Sequence, residues 1–151
     1  MQRVPSFIKY EDALDALNII EWKITASCTS LEEFKIHFFK KVNNEFTQDE
    51  SLFGFTYQDV ENKYQEIKNA EPMRLLREER NRRLQETDWE MMRNTERNIN
   101  NDELIKYRND LRDLPALVED QMTVDESNRN SALVPTIENG QLVFESWPTK
   151  P

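Results

Sequence analysis

Two residues could support nucleophilic or metal chemistry: one cysteine, Cys28, and one histidine, His37. A catalytic thiol needs a base to activate it, but no glycine-rich or oxyanion-loop pattern lies between these two residues. One cysteine and one histidine are also too few for the usual zinc ligand sets. We therefore interpret Cys28 as a buried or half-buried small residue, and we expect neither a metal site nor an internal disulfide.

Carboxylates could support acid–base chemistry, because the chain has 29 Asp and Glu residues. The pairs Glu78 with Glu79 and Asp110 with Asp113 are expected on exposed helix faces among arginines, where solvated charge explains them better than catalysis. Phosphate-binding loops need several closely spaced glycines, and the chain has two glycines in all. The sequence therefore predicts a protein that is not an enzyme and holds no cofactor.

The composition limits both the partners and the core. A formal net charge of −9 argues against non-specific nucleic-acid binding, which depends on excess Lys and Arg, and against an anionic membrane surface. No apolar run of roughly 18 residues could span a membrane, and the N-terminal stretch lacks the apolar core of a signal peptide. Hydrophobic residues make up 37%, so we expect a compact part and a less packed remainder that leans on partners.

The segment best suited to binding another protein is rich in arginine. Residues 71–89 read EPMRLLREERNRRLQETDW and contain five arginines and no lysine. Guanidinium groups present planar donor pairs to carboxylates and are enriched at interfaces. Arg74 and Glu78 form one of two i,i+4 pairs, so a solvated, self-neutralising helix is the alternative. We favour a docking helix followed by Trp89, which anchors either the small core or an interface.

The first 45 residues carry the elements of a small helix-plus-hairpin module. A short helix is predicted over residues 10–18. Apolar residues then alternate with polar ones, which predicts a strand over residues 19–26. A polar linker is expected to follow over residues 46–56.

Residues 30–42 fit two structures. Ser30 and Glu33 could form a capping box at the start of a helix, whereas alternation of aromatic and polar residues favours a strand. We favour the strand, paired antiparallel with residues 19–26 through the turn 27–30, because an isolated strand needs a partner.

Helical periodicity dominates the middle of the chain. Thr56 is a plausible N-cap, and Pro72 is expected to separate a helix over 57–69 from a second helix over 72–87. The first helix has an apolar stripe formed by Tyr57, Val60, Tyr64 and Ile67, and the second has a thinner one formed by Met73, Leu75, Leu76 and Leu84.

A further helix is predicted over residues 102–114, after a polar loop at 93–101 and a capping-box pattern at Asn100 and Glu103. Its stripe consists of Leu104, Tyr107, Leu111 and Leu114, and it is expected to end before Pro115. We expect this stripe to contact the 72–87 helix and Trp89, so that residues 57–115 form an antiparallel helical hairpin that acts as a docking domain.

The remaining residues, 116–151, are predicted to form an extended arm. The acidic stretch 116–133 should be ordered only against a partner. Asn139-Gly140 lies between β-prone residues and predicts a short β-hairpin over 134–145. The fold class is therefore α+β, mainly α: an N-terminal helix and β-hairpin module, a central helical hairpin, and an arm with a short hairpin.

Three segments resemble the tail assembly chaperone family of tailed bacteriophages: 71–89, YRNDLRDLP at 107–115, and WPTKP at 147–151. The resemblance implies a non-enzymatic protein that helps to fold, trimerise or attach a tail or tail-fibre protein. It also implies phage tail or tail-fibre proteins as partners, a place in a symmetric oligomeric assembly, and action in the cytoplasm of the infected bacterium or in the virion tail.

Two departures from the family pattern favour an alternative. The sequence EMMRNTERNINN at 90–101 replaces an expected proline-rich stretch, and the arm at 116–146 is longer than usual. A permanent virion component, such as a neck, baseplate or fibre linker, is therefore the second hypothesis. In both cases the candidate binding residues are Arg74, Arg77, Arg80, Arg83, Trp89, Tyr107 and Arg108, with Trp147 closing over them.

Overall fold

The computed structural model describes residues 7–151, which divide into two compact units, 7–70 and 71–151. The elements up to the unit boundary are α1 (Tyr10–Ala16), β1 (Trp22–Ile24), α2 (Leu31–His37), β2 (Phe38–Val42), β3 (Glu45–Thr47), a 3₁₀ turn (Glu50–Leu52) and the start of α3 (Tyr57–Glu86). The later elements are α4 (Asp88–Glu96), α5 (Asp102–Thr123), a 3₁₀ turn (Ser131–Leu133), β4 (Thr136–Glu138) and β5 (Gln141–Val143). The predicted class, α+β and mainly α, is confirmed.

The ambiguous residues 30–42 form a helix and then a strand. The Ser30 hydroxyl accepts a hydrogen bond from the Glu33 amide at 3.2 Å, which caps α2. The chain then becomes extended at Phe38, and β2 pairs antiparallel with β1. The predicted strand was therefore wrong for residues 31–37, where α2 lies, and correct for 38–42, so the connection from β1 to β2 includes a helix and is longer than the predicted four-residue turn at 27–30.

A third strand occupies part of the predicted linker at 46–56. β3 pairs antiparallel with β2, and Asn43 and Asn44 form the two-residue turn between them with φ angles of 51° and 69°. Two positive φ angles are typical of the type I′ turns that join hairpin strands. The Gln48 amide then donates to three carbonyls around the end of α2, so this stretch packs on its own unit.

Aromatic rings form the core of the 7–70 unit. Tyr10 stacks between Phe34 and Tyr64, with centroids 4.6 and 4.2 Å away. The Tyr10 hydroxyl donates to Glu61 at 2.5 Å, and burial raises the pKa of this phenol. Phe38 lies in the same core, in contact with the rings of Phe34, Phe53, Phe55 and Tyr57.

The helix α3 continues through Pro72, where the sequence predicted two helices separated by a break. Proline lacks an amide hydrogen and costs about 3 kcal/mol inside a helix. Both predicted stripes are nevertheless buried or half-buried, Val60 before the proline and Leu76 after it fully so. Burial on both sides offsets the cost of the proline, and the unit boundary falls inside α3, between Ala70 and Glu71.

A reciprocal capping box fixes the start of α3. The Thr56 hydroxyl accepts from the Asp59 amide at 3.0 Å, and the Asp59 carboxylate accepts from the Thr56 amide at 2.7 Å. Hydrogen bonding from the Thr56 backbone amide, and then from its side chain, lowers the pKa of Asp59 below its usual value of 3.8. The predicted N-cap at Thr56 is confirmed.

The capping box predicts a pH dependence. A depressed carboxyl pKa stabilises the fold fully above pH 3.8, and the contribution is lost as the pH falls through the lower folded-state value. We expect Thr56→Val to move the pKa of Asp59 back towards 3.8, measured by NMR titration of its carboxyl carbon. Thr95→Val, at an exposed helical threonine of the other unit, is the control. An unchanged Asp59 titration in Thr56→Val would contradict this prediction.

The 71–151 unit contains more helix than predicted. α5 runs through Pro115 to Thr123, so the arm does not begin at 116. Pro115 and Val118 are both buried, and this burial explains why the helix continues. α4, which was not predicted, reaches Glu96 and occupies part of the predicted polar loop. Asn100 does not form the predicted capping box with Glu103 but accepts a hydrogen bond from the Asp102 amide at 2.6 Å.

Within this unit, α3 and α5 form an antiparallel pair. Near the start of α5, the Arg108 guanidinium donates to the carbonyl of Leu84, close to the end of α3, at 2.8 Å. Near the end of α5, Glu119 pairs with Arg77, which lies further back along α3. The β4–β5 hairpin also forms as predicted, with Asn139 and Gly140 at φ angles of 50° and 72° in its turn. The predicted α5 stripe is confirmed, since Leu104, Tyr107, Leu111 and Leu114 are all buried.

Candidate protein-binding surface

The apolar contact between α3 and α5 has two clusters, which together we call the helical seam. One consists of Met73, Leu76, Leu114 and Val118, and the other of Leu104, Tyr107 and Leu111. Leu84 and Met91 are partly buried against the second cluster. The thin apolar stripe of α3 is thus matched by the longer stripe of α5.

Trp147 lies against both clusters of the helical seam. The Arg83 guanidinium carbon is 4.3 Å from the centre of its ring, within cation–π distance. Phe144 meets Trp147 edge-on at 5.2 Å. Beyond them, the Lys150 ammonium is 2.8 Å from the Glu90 carboxylate, which lowers the pKa of Glu90 and raises that of Lys150.

The predicted binding arginines Arg74, Arg77 and Arg83 are engaged within the chain. Arg74 contacts Glu71 through two nitrogens at 2.6 Å, and this hydrogen bonding raises the arginine pKa. Arg77 pairs with Glu119, and Arg83 donates to Glu79 at 2.9 Å.

Glu79 corrects an expectation from the sequence. It was expected on an exposed face, but it is buried and accepts hydrogen bonds from both Arg82 and Arg83. A carboxylate held by two guanidinium groups is suited to a structural role. The helix therefore neutralises much of its own charge.

Arg80 differs from its neighbours. Its Nε atom is buried and has no hydrogen-bond partner within residues 7–151. Arg80 is four positions from both Leu76 and Leu84, so it lies on the inward stripe of α3. A buried donor without a partner is costly, so Arg80 carries a cost that the paired arginines on either side do not.

Trp89 is 65% exposed, so it does not anchor the small core. Instead, Met91 packs against the Leu104, Tyr107 and Leu111 cluster. Met92, 62% exposed, follows Trp89 by three positions on α4, and the Arg93 guanidinium lies 5.0 Å from the Trp89 ring. Met92 was not predicted as a binding residue, because its i,i+3 spacing places it beside Trp89 only if residues 88–96 are helical.

Tyr107 and Arg108 lie under the surface. Tyr107 is 5% exposed, and the Arg108 side chain is 13% exposed. The Arg108 guanidinium donates to the Leu84 carbonyl, the Thr87 hydroxyl and Asp88. It thus satisfies a carbonyl near the C-terminal end of α3 and fixes the start of α4, which carries Trp89.

Catalytic chemistry gains no support from Cys28 and His37. Cys28 is half-buried and donates to the Ala26 carbonyl at 3.2 Å, and burial raises the pKa of its thiol. The His37 Nδ1 atom makes a hydrogen bond with the Thr25 hydroxyl at 2.8 Å. Across the described part of the chain, no group of His, Cys, Asp and Glu side chains is arranged to hold a metal ion.

Among the helices of residues 7–151, none combines the length and the apolar character that crossing a membrane requires.

The 71–151 unit is therefore a helical hairpin with an exposed aromatic and arginine surface, covered along its seam by its own C-terminal segment. Residues 73–129 match the model of a family described as phage tail assembly chaperone protein. The family predicted from the sequence is confirmed for this segment, and the match supports a role in phage tail assembly. No curated protein and no solved structure matches the chain.

Proposed function

We propose that the protein acts without catalysis, by binding a phage tail or tail-fibre protein as an assembly chaperone or small adaptor. The observation that carries this proposal is the exposure of Trp89 and Met92, one turn apart on α4. Large apolar side chains exposed together are typical of interaction sites, and tryptophan is enriched among the residues that dominate binding energy. The family match supports a partner from the tail.

The arginines contribute in two ways. Arg74 and Arg77 have about half of their side-chain surface exposed, so a partner's carboxylates can share or replace their internal ones. Arg80 has a buried Nε atom without a hydrogen-bond partner within residues 7–151, and another protein reaches it only by displacing the groups that cover it. By contrast, Tyr107 and Arg108 are largely buried, and they support the binding surface by holding α4 and α5 in place.

The alternative, a permanent virion component, depended on a long arm ordered only by a partner. The alternative has less support, because α5 extends to Thr123, and Leu142 of β5 and Phe144 after it pack on the helical seam. The chaperone or adaptor role is therefore our first proposal. Mass spectrometry of washed virions distinguishes the two, since a fixed, symmetric copy number would favour the permanent component.

Co-purification from infected cells tests the binding surface. We expect Trp89→Ala combined with Met92→Ala to reduce recovery of tail proteins by about thirtyfold, the effect of losing about 2 kcal/mol at a hot spot. The recovered proteins are identified and quantified by mass spectrometry. Ile36→Ala, which removes an equally exposed apolar side chain from the other unit, is the matched control. Equal recovery with wild type and the double variant would refute this surface.

A further inference from the structure

The C-terminal tail, defined as residues 144–151, is held on the helical seam by side chains. It forms neither helix nor strand. Its backbone makes no hydrogen bond to the backbone of any other described residue. Its contacts are the Phe144 and Trp147 rings on the seam, the Ser146 hydroxyl on the Ala132 carbonyl at 2.6 Å, and Lys150 on Glu90. This is how an extended peptide docks on a folded surface.

The strength of these contacts is moderate. The cation–π contact of Arg83 with Trp147 and the edge-on contact of Phe144 are each modestly stabilising. The Lys150–Glu90 pair is half-exposed and contributes little. Burial of Trp147 is therefore the main interaction that holds the tail. Another peptide segment with an aromatic and a cationic residue at the same spacing could make the same contacts with Arg83 and Glu90.

We propose that the helical seam is the docking site for an extended segment of the client protein, and that the tail is a displaceable intramolecular occupant of it. This inference rests on the proposed function, because it gives the client a place to bind. The tail sets the chemistry of the client segment: an aromatic side chain that lies under Arg83 on both clusters, and a cationic residue three positions later that reaches Glu90. A proline after the aromatic residue, like Pro148, favours the extended backbone.

Tethering explains why the seam is covered when no client is present. The tail follows β5 directly, and a segment tethered so closely has an effective concentration of about millimolar. A free segment of equal intrinsic affinity therefore binds the wild-type chain poorly. Any change that weakens the tail should increase the apparent affinity for a free segment, because the open seam becomes more populated.

A fluorescent peptide with the sequence of residues 141–151, QLVFESWPTKP, tests this directly on the full chain. We expect it to bind the Trp147→Ala variant at least about tenfold more tightly than wild type, measured by fluorescence anisotropy. Lys150→Gln, which leaves both rings in place, should give a smaller gain of about twofold to threefold, in line with the weakness of an exposed ion pair. A peptide in which alanine replaces the tryptophan should not bind either variant.

Several outcomes would overturn the proposal. Equal binding of the peptide to wild type and to both variants would show that the tail does not compete. Absence of binding to Trp147→Ala as well as to Lys150→Gln, whose tail retains its rings, would show that the seam does not accept a free segment. A wild-type dimer in size-exclusion chromatography that is lost in Trp147→Ala would assign the seam to a second copy of this chain. Because no tail protein is present, Trp89→Ala with Met92→Ala should leave peptide binding unchanged, and the two proposals can fail separately.

Discussion

Replacing Phe38 by alanine should lower the free energy of unfolding of the 7–70 unit by about 3–5 kcal/mol, the usual cost of deleting a buried phenylalanine. Phe38 is fully buried and its ring lies within 4.8–6.2 Å of four other aromatic rings, centre to centre. The cavity would therefore open inside the aromatic core. Hydrogen exchange at increasing urea concentrations, read separately for peptides from each unit, measures the loss.

The adjacent residue provides the control for Phe38. Phe39 lies on the opposite face of β2, half-buried, with the Lys23 ammonium 5.0 Å from its ring centre. Phe39→Ala should cost only about 1 kcal/mol. A similar cost for both substitutions would mean that the aromatic core does not hold this unit together.

Replacing Leu111 by alanine should lower the free energy of unfolding of the 71–151 unit by about 3 kcal/mol. Leu111 is fully buried in the helical seam, where α5 contacts α3. Loss of its methyl groups removes contacts in the middle of the seam and leaves a cavity that helix packing cannot easily close. The same urea-dependent hydrogen exchange, read on peptides from α3 and α5, measures the effect.

Leu117→Ala is the matched control, because it makes the same change on the same helix at a side chain that is 52% exposed. Its effect should stay within about 0.5 kcal/mol. If Leu117→Ala proved as costly as Leu111→Ala, the assignment of the buried face of α5 would be wrong. If neither variant changed exchange in α3, the two helices would not be stabilising each other.

Local signals in the sequence predicted the elements that local interactions determine. The Thr56 cap and the Asn139-Gly140 turn depend on residues within three positions of each other, and both were predicted. The apolar stripes of α3 and α5 were also predicted, because helical periodicity is written in the sequence itself. The family resemblance was recognisable because arginine, tryptophan and proline occur at characteristic spacings in three short segments.

Tertiary burial decided the elements that were wrong. Pro72 and Pro115 are strong local signals for helix ends, but the helices continue because apolar residues on both sides of each proline are buried. The third strand was not predicted, although Asn43 and Asn44 form the turn that makes it possible. Propensity alone could not weigh these local preferences against the core.

The sequence predicted which segment carries the candidate binding surface, but not which of its side chains are exposed. Arg77 pairs with Glu119, 42 positions away along the chain, so its partner could not be read from helical spacing. Exposure of Trp89 depends on which face α4 presents, and the sequence had assigned that stretch partly to a loop. The sequence identified the segment, and the structure shows which of its side chains are exposed.

The position of the unit boundary inside α3 has a consequence for limited proteolysis. Proteases cut chains that can become extended over several residues, so cleavage sites usually mark flexible linkers between domains. Here the peptide bonds on both sides of the boundary lie in a helix, and a protease must unwind it before cutting. Digestion should therefore begin in exposed turns and leave the two units joined, so that a fragment pattern alone would describe this chain as a single domain.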